Sequence, residues 1–468
     1  MLNKTRVIST AGGALLLATS LAACGGGQPA DQSGDAADAV TLSFTANAIV
    51  GGKNSAEAEW IQDWVIPNFE KEMADQGKNV KVNFEPQGVD DEDYKTKLAL
   101  DLQSGGGADV FAIDGIWVGE FAEAGYIKPL EEVAPNSASW DGWEQIDDSV
   151  QQALAFDGQR YGVPQGADGR VIYYNKDLFK EAGLPTDWQP TSWDEILDAA
   201  RALKKLDGVI PIQLNAGTAM GEATTMQGIL PMLAGAGGSV WQDGKWLGDT
   251  PQLEDVMNLY RTIYVDEQLG DPILQQEASG RDTSFQQFAD GQIGILLEGD
   301  YFWRSVVNPA EGVGTAPMEN RDEVVGYALI PAMNPGTGIN GQDFVSMSGG
   351  TGRVLNPNSK NPDLAWELLA FMNSADAYKA KAAGTLSISP RADVNEELLK
   401  ADPMLTFVSN EVLPITAYRP GLAAYPEVSL ALQQASLDVV SGTPVSDALA
   451  TYVSTMGNIV GAENVSSK

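Results

Sequence analysis

The chain contains no histidine among its 468 residues. Without an imidazole, a Ser-His-Asp triad, a Cys-His dyad, a His-ligated zinc and an imidazole general base are all excluded. Cysteine is nearly as scarce. Cys24 is the single thiol, so the folded body has no disulfide and must rely on large apolar cores. Basic residues are few: 29 Lys and Arg stand against 64 Asp and Glu, for a formal net charge of −35. Nucleic acid and anionic lipid headgroups both require clustered Lys and Arg, so neither is expected as a partner. A charge of this size favours solubility and opposes self-association, and a monomer is expected. It does not identify a ligand, since a generally acidic proteome produces the same balance. There are no heptads and no internal repeat, and Gly105, Gly106 and Gly107 lack the spacing of a P-loop or a dinucleotide turn. No metal and no cofactor is expected. One catalytic option survives, a pair of carboxylates as in glycoside hydrolysis. With so many acids, chance pairs are everywhere, and nothing specific supports it.

The N-terminal residues have the layout of an export signal. Lys4 and Arg6 precede a mostly apolar run from Val7 to Ala23, which ends in Leu21-Ala22-Ala23-Cys24-Gly25. The unbroken apolar stretch is shorter than the ~20 residues a membrane span needs. A cysteine directly after small residues resembles the lipobox of bacterial lipoproteins, in which the thiol is acylated, with palmitate among the chains carried, and becomes the new N-terminus. This implies a signal peptide over residues 1–23 and a lipid anchor at Cys24, on the extracytoplasmic face of the cell membrane. Loss of Lys4 and Arg6 would take the formal charge from −35 to −37. Residues 24–39, rich in Gly, Ala, Asp, Gln and Ser, read as a flexible tether.

Beyond the tether, strand-like and helical patterns alternate. Val40 to Phe44 reads as a strand. Trp60 to Met73 reads as an amphipathic helix with Trp60, Trp64, Val65, Phe69 and Met73 on one stripe. The alternation of Val80 to Phe84 predicts a strand, Tyr94 to Leu102 a helix, and Asp109 to Ile113 a buried strand. This β-α-β-α-β order implies a parallel sheet with right-handed crossovers. A second unit follows: strands at Val171 to Tyr174, Ile210 to Leu214 and Ile293 to Leu297, and a helix from Ser192 to Leu203. In that helix Ser192 serves as cap and Glu195 closes the capping box. Asn361-Pro362-Asp363 predicts a further helix start, with Asn361 as the cap.

Aromatic residues concentrate in loops after strands. Tyr301, Phe302 and Trp303 follow Ile293 to Leu297, Trp117 follows Ile113, and Tyr418, Arg419 and Tyr425 lie in a Pro-punctuated stretch. In α/β sheets, ligands bind beyond the carboxyl ends of the strands. Exposed aromatic faces flanked by Asp, Glu, Asn and Arg suit sugar rings, which present apolar C–H faces and a rim of hydroxyls. For Tyr301 and Trp303, a ligand-facing role and a core role remain open at this point. Trp60, Trp64 and Trp366, on helical stripes, read as core.

An ordered set of segments resembles the bacterial extracellular solute-binding proteins for sugars. It comprises Asp109 to Trp117 with Glu120-Phe121-Ala122 and Gly125, Tyr161-Gly162-Val163-Pro164 with Asp168, and Tyr173 to Phe179. Thr191 to Glu195, Phe288 with Gly291-Gln292, and Asn356 to Trp366 complete it. The maltose- and trehalose-type binding lipoproteins of ABC importers are the nearest in look. The resemblance implies a two-lobed α/β fold, each lobe a mainly parallel sheet flanked by helices, with the ligand cleft at the hinge. The implied division is 40–165 and 331–384 for lobe 1, and 166–330 and 385–468 for lobe 2, with crossings near Gln165 to Asp168 and Tyr327 to Pro331. It also implies a di- or oligosaccharide ligand, ABC permease subunits as partners, and no catalysis. Carried over residue by residue, the ligand contacts are Asp114, Asp168, Tyr301, Trp303, Gly350, Arg419, Tyr425 and, in the first loop, Glu57. Ile113 stands where maltodextrin binders have Trp, which favours a shorter sugar. Two other readings compete with this one: a paired-carboxylate glycosidase, and a binding protein for a non-sugar polar solute.

Overall fold

Two sheets organise the chain. The computed structural model describes residues 39–382 and 386–466; the signal peptide, Cys24 and nearly all of the tether lie outside the described residues. The first sheet has the strand order Val80–Pro86, Val40–Ala46, Val110–Asp114, Thr351–Leu355, Gly162–Pro164. The first three run parallel, with Val40 opposite Val80 and Phe44 opposite Val110. Helical segments over 55–75 and 91–103 connect them, which is the expected β-α-β-α-β order. The second sheet has the order Val325–Ala328, Arg170–Asn175, Ile293–Gly299, Ile210–Gln213. Together they make the two-lobed α/β architecture, with helices against the sheets.

Burial follows position in the sheet. Ile293–Gly299 and Arg170–Asn175 are buried at every residue, as strands covered on both faces must be, and their central residues, 293–297 and 171–174, do not alternate with polar ones. Val80–Pro86, at an edge, alternates between buried and exposed over its first half. Each sheet carries one strand against the common direction: Thr351–Leu355 in the first and Arg170–Asn175 in the second. Both come just after the chain has left the other sheet. A chain that enters a sheet from the side where the other strands end must run the opposite way, so both sheets are mixed.

The chain passes from the first sheet to the second between Gly162–Pro164 and Arg170–Asn175, and it returns after Val325–Ala328. On the return, Phe344–Ser348 pairs in parallel with Thr416–Tyr418 and antiparallel with Ile330–Pro331. Residues 39–468 form one compact unit. Local signals behave as the sequence suggests at the helix Trp193–Leu203, where Ser192 Oγ accepts from the Glu195 N–H and Glu195 accepts from the Thr191 N–H. Asn361 differs: it sits at the start of Pro362–Met372 without a side-chain capping bond. None of the described helices is long and apolar enough to cross a membrane.

Candidate functional site

The site begins at the carboxyl end of Val110–Asp114. Asp114 Oδ1 accepts from the Ile116 N–H at 3.0 Å, which fixes the carboxylate over the turn that follows. Burial pushes its carboxyl above the usual range, and the guanidinium of Arg419 opposes that shift. Behind it, the Gly115 N–H donates to the Gly350 carbonyl at 2.7 Å. A Cβ on Gly350 would lie 2.4 Å from the Cβ of Ala153. The glycine is therefore required by close approach of the protein to itself.

Asp168 lies in the first connection between the sheets. Its Oδ1 accepts from Ser348 Oγ at 2.9 Å and from the Gly349 N–H at 2.8 Å. Its Oδ2 pairs with Arg170 at 2.8 Å, and the side chain keeps 26% of its surface exposed. A carboxylate with three internal donors is preorganised and has little freedom to reorient.

Glu222 anchors a second cluster that sequence reasoning missed. It opens the helical segment that follows Gly221, beyond the strand Ile210–Gln213. Its Oε1 accepts from the Tyr425 hydroxyl at 2.6 Å and from Arg419 at 3.2 Å, and its Oε2 accepts from Ser429 at 2.7 Å. Still, 36% of its side chain is exposed, against 12% for Arg419. Tyr425 is 2% exposed, so it does not present the open aromatic platform that the resemblance implied. Its ring is packed and its hydroxyl holds Glu222. The available signal was an acid beyond a strand end, directly after a glycine.

Tyr301 and Trp303 separate. Tyr301 is half-buried; its hydroxyl donates to Glu298 and accepts from Gln227 at 3.1 Å. Gly299 lets the ring fold back, because a Cβ there would meet the ring at 2.5 Å. Arg281 lies over the ring at 5.1 Å and grips Glu298 with two bonds of 3.0 and 2.9 Å. Glu298 is 2% exposed, and burial raises its carboxyl although Arg281 works against it. Gln227 belongs to the helical segment that starts at Glu222, so one segment carries Glu222 and meets Tyr301. Trp303, in contrast, is 4% exposed within the apolar core. Its Nε1–H donates to Asp402 at 3.1 Å, Arg321 covers its face at 3.9 Å, and Tyr327 meets its edge. A ring this buried, held by Asp402 and Arg321, does not offer the exposed face expected of a ligand contact. The turn of Phe302–Val306 points it into the protein.

Glu57 lines a cavity of about 450 Å³ together with Gln165, Ala167, Arg304 and Thr351. The walls thus come from segments of both sheets. Glu57 pairs with Arg353 and Lys381, each at 3.0 Å. Burial alone would raise its carboxyl, but Lys381 and Arg353 hold it down at about 2. The site as a whole presents fixed carboxylates and guanidiniums around one half-buried ring. Such an array can exchange hydrogen bonds with a hydroxylated solute. No cluster of potential metal ligands occurs among the described residues.

The family model described as bacterial extracellular solute-binding protein matches residues 52–379. A binding protein of Brucella abortus (strain 2308) is 26% identical over 361 residues, covering 75% of this chain and 79% of its own. The diacetylchitobiose binding protein DasA of Streptomyces coelicolor is 24% identical over 407 residues, 85% of each chain. Among solved structures, the sugar-binding protein MalE of Xanthomonas citri superposes with a TM-score of 0.71 at 18% identity, covering 91% of this chain and 98% of its own. That last likeness is one of fold.

Proposed function

This chain belongs to the bacterial extracellular solute-binding protein family, and from that premise we propose that it captures a neutral di- or oligosaccharide for an ABC importer. The observation that carries the reading is the cluster of Glu222, Arg419 and Asp114. Glu222 comes from the second-sheet side of the molecule, Asp114 from the end of a first-sheet strand, and Arg419 lies close enough to both to pair with one and lower the other. A sugar seated there exchanges hydrogen bonds with both halves, and Tyr301 supplies the apolar face. A relative's named ligand, diacetylchitobiose, supports a short oligosaccharide. The contacts in this reading are Asp114, Asp168, Tyr301, Arg419 and Glu222, with Glu57 in the adjoining cavity.

The protein performs no chemistry in this reading. Ligand stabilises the closed arrangement of residues 40–165 and 331–384 against 166–330 and 385–468, and a membrane permease recognises that form. Acylated Cys24 tethers a monomer to the outer face of the cell membrane. A thermal-shift screen against mono-, di- and trisaccharides tests the reading, because a ligand that binds only the folded state raises the melting temperature. Stabilisation by at least one sugar, with recovery of that sugar intact, is expected. A panel without any stabiliser, or conversion beyond one equivalent, overturns it.

A further inference from the structure

A groove of about 630 Å³ lies between the helices Ile66–Asp75 and Pro362–Met372, and it shares no lining residue with the Glu57 cavity or the Asp114 site. Its walls carry Trp64, Trp140, Trp366 and Phe371. Trp64 and Phe371 stack at 5.6 Å between centroids, and Trp140 meets Trp366 edge-on at 5.9 Å. Trp64, Trp140 and Phe371 are only half-buried, so ring surface remains open to the groove. The helix widens into a π turn at Ile61–Val65. The extra residue swings Trp64 out of register with Trp60, which points inward and donates to the Ala377 carbonyl at 3.1 Å. The stripe that reads as uniform core in the sequence is therefore split, and Trp64 is spent on the groove.

The polar rim decides what kind of solute fits. Asp75 is paired with Lys71 at 2.8 Å, and Glu367 with Lys78 at 2.7 Å. Glu72 and Asp376 line the rim as well, so it is rich in carboxylate oxygens that accept hydrogen bonds and oppose an anionic solute. The strongly acidic chain disfavours polyanions. Asn68 and Gln76 add exposed amides. Half-buried aromatic rings, amides and carboxylates are complementary to a sugar ring with its hydroxyls. The volume falls within the usual range of small-molecule pockets, about 300–1,000 Å³.

We propose that this groove is a second carbohydrate site, independent of the cleft, that takes a neutral glycan segment. The test is native electrophoresis of the full chain through gels containing dextran, soluble starch, arabinogalactan or glycol chitin, with alginate as the polyanionic control. Retardation by at least one neutral polysaccharide is expected. It should persist in Asp114→Ala and weaken about tenfold or more in Trp64→Ala. Because Trp64→Ala removes a half-buried ring, Gln76→Trp serves as the second variant: it fills the groove from an exposed position and should also abolish retardation. No retardation by any neutral polymer, retardation by alginate alone, its loss in Asp114→Ala, or its survival in Gln76→Trp overturns the proposal.

Discussion

Replacing Trp303 by alanine separates a core residue from a ligand contact. The indole is 4% exposed, donates to Asp402, lies under Arg321 and meets Tyr327 edge-on. Truncation deletes that packing and leaves a cavity, at a cost of about 3–5 kcal/mol for a buried large aromatic. At roughly 2 °C per kcal/mol for a large domain, the ligand-free melting temperature should fall by about 6–10 °C. Since the partners of the ring are Asp402, Arg321 and Tyr327 rather than the carboxylate paired with Arg419, affinity for the sugar found by screening should stay within about twofold of the parent, as for sites that act independently. Tyr301→Ala is the contrasting variant. It removes the half-buried ring whose hydroxyl meets Gln227, in the helical segment that begins at Glu222, and affinity should drop by about ten- to a hundredfold, with the smaller change in melting. Differential scanning calorimetry without ligand and titration calorimetry with it give both numbers for each variant. An unchanged ligand-free melt in Trp303→Ala together with a tenfold loss of affinity would refute the reasoning.

Glu222→Ala leaves the hydroxyls of Tyr425 and Ser429 without their acceptor and frees Arg419; each stranded buried group costs about 1–3 kcal/mol. Both the ligand-free melt and the sugar affinity should fall, and a variant equal to the parent in both would remove Glu222 from the site. Glu57 predicts a pH dependence. Its folded value of about 2 lies below the ordinary 4.5, so the stability it contributes is complete above pH 4.5 and is lost as pH falls toward 2, a change of roughly 3 kcal/mol. Glu57→Gln, less stable at neutral pH because Arg353 is left unpaired in the core, should show a shallower acid decline in melting temperature; parallel curves would contradict the assignment. Cys24→Ser should release soluble protein or accumulate unprocessed precursor in cell fractionation, and retention like the parent would count against the lipid anchor.

Much of the architecture is legible because it is written in local pattern. The first three strands and their two helices follow from periodicity, and the cap at Ser192 from side chains three residues apart. Asp114 could be placed at a strand end from its neighbours in the chain, whereas Asp168 was implied by the family resemblance. The reversed strands were not legible. Nothing in the residues of Thr351–Leu355 or Arg170–Asn175 marks a direction, which depends on the side from which the chain enters each sheet.

The site divides along the same line. Sequence by itself determined the excluded chemistries, the apolar strands and the carboxylate at the end of the third, because these depend on residue type and short-range order. Tertiary structure alone decided between Tyr301 and Trp303, two residues apart in the chain, since one stays half-buried with its hydroxyl on Glu298 and Gln227 and the other is buried against Asp402 and Arg321. It also decided that Tyr425 holds Glu222 rather than offering an open face. The partners of Glu222 lie 197, 203 and 207 residues further along the chain, and a bond across that separation exists only once both segments are packed.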